Sequence, residues 1–182
     1  VCGKLLINEV DYDQLQTDTA EFVELYNAGT STIDLSTVHL VLVNGSNSTA
    51  YTDFALPGML NPGAYLIITS GMVPNIDPAA TVVPFPMPNM TGDLQNGAPD
   101  GIALFDAKEN MLIDALSYEG ALTAVMIGNQ TVSLVSGNPV LATDSPVPLL
   151  PTASLVRFPN AQDTGDDAAD WTGTTITTPG SA

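Results

Sequence analysis

Proline and glycine recur along the whole chain, and no other feature of the sequence limits the fold as strongly. Because 14 prolines and 15 glycines are spread over 182 residues, no window of a dozen residues keeps the apolar spacing of an amphipathic helix. The apolar residues instead form short runs, and turn-forming residues separate one run from the next. This pattern predicts an all-β fold, either a sandwich or a barrel.

Seven short apolar runs are predicted to be strands. They cover residues 4–10, 21–27, 38–44, 65–69, 101–106, 111–118 and 154–158. The run 38–44 is apolar on both faces apart from His39, so we expect it in the centre of a sheet. In the run 21–27 neither face is cleanly polar, which predicts a strand whose two ends differ in burial.

Two longer stretches are predicted to be Pro-rich surface loops. Residues 74–96 contain five prolines and are expected to cross the surface in an extended conformation. Residues 119–152 are expected to hold a hairpin at 121–135 and a Pro-rich connector at 144–151. Loops of this length are uncommon unless they bind or assemble something, so we expect binding specificity there.

The length of the chain predicts one domain, residues 1–182, in which residues 1–5 form an extended N-terminal segment. Hydrophobic residues make up 45% of the sequence, which is enough to bury a core. No apolar run approaches the roughly 18 residues that a membrane-spanning helix needs, so membrane insertion is not expected. Cys2 is the only cysteine, which leaves it as a free thiol or as an intermolecular link.

The charge of the chain is strongly one-sided. Twenty acidic residues stand against three basic ones, Lys4, Lys108 and Arg157, for a net charge of −17. Such a surface repels phosphate groups and offers nothing to neutralise them, so nucleic acid is not an expected partner. Cations are the natural counterpart of this charge. The other interpretation is that acidity serves solubility alone.

Three blocks near the start of the chain resemble the signature of lamin tail domains in their bacterial form: residues 6–10 (LINEV), 21–27 (EFVELYN) and 33–36 (IDLS). Further blocks follow in the family's order at 60–65, 94–97, 100–104, 113–120, 154–157, 163–171 and 178–180. In one place the chain differs, because Thr37-Val38 stands where the family usually has Gly-Trp.

The resemblance implies an immunoglobulin-like β-sandwich with long Pro-rich surface loops and a non-enzymatic role. Lamin tail domains of animal nuclear filaments are interaction modules. In bacteria such domains occur on secreted and surface proteins, often attached to nucleases or other hydrolases. The family brings no catalytic residues to this sequence.

The residues themselves also argue against an enzyme. Hydrolysis needs a nucleophile and a base with a pKa near neutrality. The only histidine, His39, lies in mid-strand and is expected to face the surface or bond to a neighbour. With one histidine and one cysteine, the chain cannot build a closed zinc site of nitrogen and sulfur ligands by itself.

Calcium is the one metal ion for which the sequence offers ligands. Carboxylates cluster in two places, and Ca²⁺ takes six to eight oxygen ligands from such groups and from main-chain carbonyls. The candidate ligands are Asp11, Asp13, Asp18 and Glu21 in the first cluster, and Asp163, Asp166, Asp167 and Asp170 in the second. Neither cluster matches an EF-hand loop. A purely structural interpretation also applies to the second cluster, since aspartates bond their own backbone in turns.

We expect an extracellular or cell-surface protein. The sequence begins at Val1 without a methionine, which indicates a removed signal peptide or an excised segment. It also carries Asn-x-Ser/Thr sequons at Asn44, Asn47, Asn89 and Asn129.

The expected function is that of a structural or adhesive module. Its expected partners are copies of itself, in a filament or surface layer, or other surface proteins. The apolar segment 5–10 is the candidate strand for addition to a neighbouring sheet. The alternative function is an accessory domain that localises a secreted nuclease or other hydrolase.

Overall fold

A computed structural model describes residues 4–15, 17–86, 93–145 and 153–182 of the chain. Within these ranges the chain forms fourteen strands and one four-residue helix. The elements are β1 (Leu5–Asp11), β2 (Phe22–Asn27), β3 (Ile33–Asp34), β4 (Val38–Asn44), β5 (Thr49–Ala55), β6 (Met59–Leu60), β7 (Tyr65–Thr69), β8 (Thr81–Pro84), β9 (Asp100–Asp106), β10 (Met111–Tyr118), β11 (Val125–Ile127), β12 (Gln130–Val132), β13 (Ser154–Arg157), α1 (Asp167–Asp170) and β14 (Trp171–Thr174).

Two main sheets carry the fold. The larger has six strands in the order β14-β13-β1-β2-β7-β8, and the smaller has four in the order β10-β9-β4-β5. Within these two sheets neighbouring strands run antiparallel, except that β8 lies parallel to β7. Two short ladders, β3-β6 and β11-β12, complete the strands of the described ranges. The all-β fold is therefore confirmed, and each of the seven predicted strands is present.

The main core lies between the two sheets. Val23 and Leu25 of β2 reach it from the larger sheet, and Leu40 and Leu42 of β4 reach it from the smaller one. All four side chains are at most 1% exposed. Alternate residues of each strand therefore face this core, as the period of two along a β-strand requires.

A second, smaller core explains why β4 is apolar on both faces. Val41 and Val43 point away from the main core and are buried beneath the β11-β12 hairpin, where they pack with Val125 and Ile127. The predicted central position of this strand is confirmed, because β9 and β5 flank it. The hairpin predicted within residues 121–135 is confirmed as well.

The outer face of the larger sheet is covered by the chain's own C-terminal segment. Oε2 of Glu9 accepts a hydrogen bond from Thr178 Oγ1 at 2.9 Å, and Oε2 of Glu24 accepts one from Gly180 N at 2.6 Å. As a result β2 is buried along its length, apart from the half-buried Tyr26. The prediction that the two ends of this strand differ in burial is wrong, because a later segment covers the face that would otherwise meet water.

Arg157 joins the two sheets at one edge of the sandwich. Its side chain is 2% exposed and donates from Nε to the carbonyl oxygen of Ile7 at 2.8 Å. Its Nη2 donates to both carboxylate oxygens of Asp114 at 3.0 and 3.2 Å, and Asp114 also accepts from Ile7 N at 2.7 Å. Both β1 and β10 shift register here, between Ile7 and Glu9 and between Leu112 and Asp114. The interruptions coincide with the backbone groups that bind the ion pair.

Two sequence expectations about surface segments need correction. Residues 74–96 are not simply a loop, because they contain β8, which forms one edge of the larger sheet. The segment 5–10 does not offer a free strand, because β1 is paired with β2 on one side and β13 on the other. Residues 1–3, 87–92 and 146–152 lie outside the described residues, and so do most of the N-terminal segment and most of the connector 144–151.

Candidate functional site

Carboxylates crowd the end of the sandwich at which β1 finishes and the chain crosses to β2. Gln14 organises this crossing. Its Nε2 donates to Asp11 Oδ1 at 2.8 Å, and its main-chain N–H donates to Asp18 Oδ1 at 2.9 Å. Its Oε1 accepts hydrogen bonds from the backbone of residues 19 and 20. The first predicted cluster is therefore brought to one region of the fold, through a side chain that is not itself acidic.

Glu21 is the most enclosed member of this first cluster. It is 0% exposed, and its Oε2 accepts from the main-chain N–H groups of Asp93 and Leu94 at 2.6 and 3.2 Å. Its Oε1 has no hydrogen-bond partner among the described residues. Burial raises the pKa of Glu21 to about 8, against the lowering effect of the two N–H donors.

Three further carboxylates, which the sequence did not point to, belong to the same region. Asp144 is fully buried, and its Oδ2 accepts from the main-chain N–H of Tyr12 at 2.9 Å. The Tyr12 hydroxyl accepts from Asp144 N at 2.9 Å and donates to Glu119 Oε1 at 3.3 Å. Asp100 is 2% exposed and accepts from Gly45 N at 3.0 Å. Burial raises the pKa of Glu119, and charge repulsion from Asp13 and Asp100 raises it further.

We call this set of seven carboxylates the acidic end: Asp11, Asp13, Asp18, Glu21, Asp100, Glu119 and Asp144. Within it, Asp144 Oδ2 accepts from the main-chain N–H of Tyr12, the residue that follows Asp11, so the carboxylates of Asp11 and Asp144 lie close together and their charges act on each other. Burial raises the pKa of both groups far above the ordinary value of an aspartate. Two ionised carboxylates at this separation repel each other strongly when water is excluded.

None of the three basic residues forms an ion pair with a carboxylate of the acidic end. Lys4 lies 3.4 Å from Asp163, and Lys108 lies 3.9 Å from Glu109. Arg157 is committed to Asp114 and, at 3.6 Å, to Asp170. The acidic end therefore lacks a cationic side chain of this chain to offset its charge. Over the described ranges, no group of three or more His, Cys, Asp or Glu side chains is already arranged to hold a metal ion.

The second predicted cluster is tied into the fold by other means. Asp163 pairs with Lys4, and Asp166 caps α1 by accepting from Ala168 N at 3.2 Å. Asp167 accepts from Ser136 N at 2.8 Å, and Asp170 accepts from Thr164 N at 2.8 Å. Each of the four carboxylates thus has a structural partner, as the turn interpretation expects. The proposal of a calcium site in this cluster stays a prediction.

An open cleft of about 490 Å³ lies beside the acidic end. Asp18 and Asp100 line it together with Asn44 and the segment 94–99. Its wall combines these carboxylate, amide and main-chain groups with the apolar side chains of Leu94, Ala98 and Pro99. Its two carboxylates are groups that a hydrated cation can bind.

A second surface feature, which we call the edge groove, lies at the side of the sandwich where β5 and β8 are the outermost strands. Phe54, Ala55 and Pro57 line one wall, residues 83–86 line the other, and the volume is about 450 Å³. Phe54 and Phe85 meet edge to face with ring centroids 6.4 Å apart. The lining is mostly apolar, in contrast to the cleft at the acidic end.

The remaining chemistry-bearing residues have structural surroundings. His39 Nδ1 lies 2.6 Å from Asp53 Oδ1 on the neighbouring strand, which confirms the expectation that it bonds to a neighbour. Trp171 is 5% exposed and packs in the main core, with the Arg157 guanidinium 4.8 Å from the ring centroid. Cys2 lies outside the described residues. No helix of the described ranges is both long and apolar enough to cross a membrane.

Comparison with known proteins assigns the family. The family model described as Lamin Tail Domain matches residues 1–120. The chain belongs to the lamin tail domain family. That family consists of non-catalytic, immunoglobulin-like modules, in agreement with the sandwich of the two main sheets. A search of curated proteins finds no match.

The match ends before several elements that complete this lamin tail domain. The β11-β12 hairpin, β13 and β14 all follow residue 120, and so does the C-terminal segment that covers β2. The blocks at 154–157, 163–171 and 178–180 resemble the family but lie beyond the matched residues. Asp144 also comes from this later part of the chain, so the acidic end combines matched and unmatched segments.

Proposed function

We propose that this lamin tail domain is a non-enzymatic extracellular module with a structural or adhesive role, which assembles with copies of itself into a filament or surface layer. One observation carries the proposal: the edge groove lies beside the free edge of β5. Among the described residues that strand is paired with β4 alone, so its other edge presents backbone groups that no described strand pairs.

The part of β5 next to the groove is suited to pairing with another strand. A register shift between Leu42 and Val43 marks a bulge on the β5 side at Tyr51, but the pairing from Thr52 to Ala55 is regular. A strand added along Thr52–Ala55 would form main-chain hydrogen bonds there and place alternate side chains in the apolar groove. Backbone pairing would supply affinity, and the groove would supply specificity.

A filament or layer requires contacts that do not close on themselves. The two edges of the smaller sheet, β5 and β10, differ in sequence and surroundings, so a contact between β5 of one copy and a different surface of the next would be heterologous. The net charge of −17 opposes any approach of two copies. Since salt screens this repulsion, assembly is expected to increase with ionic strength.

The extracellular location has separate support. Asn47 and Asn129, two of the sequon asparagines, are exposed at turns of the described chain, where a glycan can be accommodated. The alternative role, an accessory domain of a secreted nuclease or other hydrolase, is distinguished by the full-length gene, in which a catalytic domain would adjoin this one.

Analytical ultracentrifugation of the purified domain tests the assembly. As the salt concentration is raised from low to moderate, the native chain is expected to form species larger than a monomer. The variant Ala55→Arg is expected to stay monomeric, because it places a charge on the exposed edge of β5. Ile176→Arg is the matched control, since Ile176 is 70% exposed and follows β14, the strand at the opposite edge of the larger sheet from β8, and it should assemble like the native chain. A native chain that stays strictly monomeric at high concentration, at every salt concentration, would refute the proposal.

A further inference from the structure

Asp11 and Asp144 form a buried carboxylate pair that no basic side chain accompanies. Asp11 ends β1 and is 6% exposed, whereas Asp144 is 0% exposed. Asp144 Oδ2 accepts from the main-chain N–H of Tyr12, the residue that follows Asp11, so the two carboxylates lie close together and their charges act on each other. Because two neighbouring carboxylates that are shielded from most water rarely both stay ionised without a positive partner, a proton or a metal cation is expected between them.

The hydrogen bonds around Asp144 leave one oxygen for that role. Its Oδ2 is occupied by the main-chain N–H groups of Tyr12 and Asp13, at 2.9 and 3.2 Å. Its Oδ1 is fully buried and receives no hydrogen bond from the described residues. A buried polar atom without a partner is uncommon in a folded protein and calls for a ligand or ion that completes it.

We propose that a divalent cation, Ca²⁺, binds between the carboxylates of Asp11 and Asp144. Carboxylate oxygens with nearby main-chain carbonyls are the ligands that Ca²⁺ prefers, whereas Zn²⁺ favours nitrogen and sulfur. Asp13 is the next carboxylate to take part, since its charge already acts on Asp144. Two carboxylates leave most of the coordination shell to carbonyl groups and water, which the flexible geometry of Ca²⁺ permits.

Such an ion would connect two distant parts of the chain. Asp144 bonds to Tyr12, 132 positions away in sequence, and it lies in the segment that follows the β11-β12 hairpin. Bound Ca²⁺ would hold this segment against the end of β1 and the crossing to β2. The inference does not depend on self-assembly, so the two proposals fail separately.

Thermal unfolding of the chelator-treated protein at low concentration tests the site. We expect Ca²⁺ at a hundredfold excess over its Kd to raise the Tm by roughly 5–10 °C, and NaCl of matched ionic strength to raise it much less. Tb³⁺ should also bind, and its luminescence should be excited through tyrosine, because Tyr12 adjoins Asp144 and stacks on Tyr118 at 4.1 Å. Ca²⁺ should then quench this luminescence by displacing Tb³⁺.

The variant Asp144→Asn distinguishes a metal site from a carboxylate pair that only shares a proton. Its amide oxygen can still accept from Tyr12 and Asp13, and its amide nitrogen can donate to Asp11, so the variant should fold and be at least as stable as the native chain without Ca²⁺. It should lose the Ca²⁺ response, whereas Asp163→Asn in the second cluster should keep it. The proposal is overturned if Ca²⁺ acts no more strongly than matched salt, or if Asp144→Asn responds to Ca²⁺ as the native chain does.

Discussion

Replacement of Arg157 by methionine is the most informative perturbation of this fold. The guanidinium is 2% exposed and donates to Ile7, Gln162 and Asp114, and it also lies 3.6 Å from Asp170. Methionine keeps an unbranched apolar stem but is shorter and uncharged, so it leaves the buried Asp170 and the mostly buried Asp114 without a cation. Breaking a buried ion pair by removing one partner costs roughly 3–5 kcal/mol. For a domain of this size that cost lowers the Tm by about 6–20 °C.

The cost of Arg157→Met should depend on pH, and its sign follows from Asp114. Burial raises the pKa of Asp114 to about 6, although Arg157 acts to lower it. Removal of Arg157 must raise this pKa further. At pH 5 the buried Asp114 of the variant is protonated and needs no cation, whereas at pH 8 folding must either bury its charge or protonate it. The destabilisation should therefore be larger at pH 8 than at pH 5.

Urea unfolding followed by far-UV circular dichroism at pH 5 and pH 8 measures this difference. Tryptophan fluorescence is unsuitable because Arg157 contacts the only tryptophan, Trp171. Lys108→Met is the matched control, since it removes an exposed cation whose ion pair is worth at most about 1 kcal/mol. If Arg157→Met costs no more than Lys108→Met at pH 8, or if its cost is the same at both pH values, Arg157 does not hold the sheets together by charge.

Three further predictions concern other parts of the molecule. Ile127→Ala should cost about 2–5 kcal/mol in urea unfolding, because Ile127 is buried beneath the β11-β12 hairpin, while Met126→Ala on its exposed face should change stability by less than about 0.5 kcal/mol. Deletion of residues 178–182 should lower the Tm measured by calorimetry, because Glu9 and Glu24 lose hydrogen bonds worth roughly 0.5–1.5 kcal/mol each when the carboxyl group is protonated; an unchanged Tm would contradict this role. In Ca²⁺-free buffer, the urea midpoint of the native chain should fall as the pH rises from 5 to 8, because burial raises the pKa of Glu24 to about 8 and the folded state holds a proton that the unfolded state releases; a midpoint that rises over this range would contradict it.

Most of the strands that sequence patterns predicted have at least one largely buried face, whereas β10 is buried only at residues 116–118. Each of them has an apolar alternation or an apolar run, as β4 illustrates. The strands β5 and β8 escaped prediction because both are edge strands whose residues are mainly exposed or half-buried. In addition, β8 ends at a proline within a Pro-rich stretch, where local preference argues against a strand. Tertiary pairing, not the local pattern, makes these segments strands.

For the acidic end too, the sequence predicted the residues that are close together in the chain but not those that come from distant segments. The spacing of Asp11, Asp13, Asp18 and Glu21 placed them in one loop region, and the fold keeps them there. Asp100 and Asp144 could not be assigned to this region from the sequence, because antiparallel pairing and the path of a late connector bring them there. An aspartate with no other acidic residue near it in the sequence cannot be assigned to a carboxylate cluster until the fold shows which charges surround it.

The central place of β1 in the larger sheet also shapes how the chain must fold. The first strand of the chain pairs with β13, where Glu9 faces Val156 and Val10 faces Leu155. On the ribosome, β1 emerges about 150 residues before β13, so the larger sheet stays incomplete while the residues between them are made. We expect contacts between such distant segments to slow folding and to leave apolar strand surface exposed until β13 has been made.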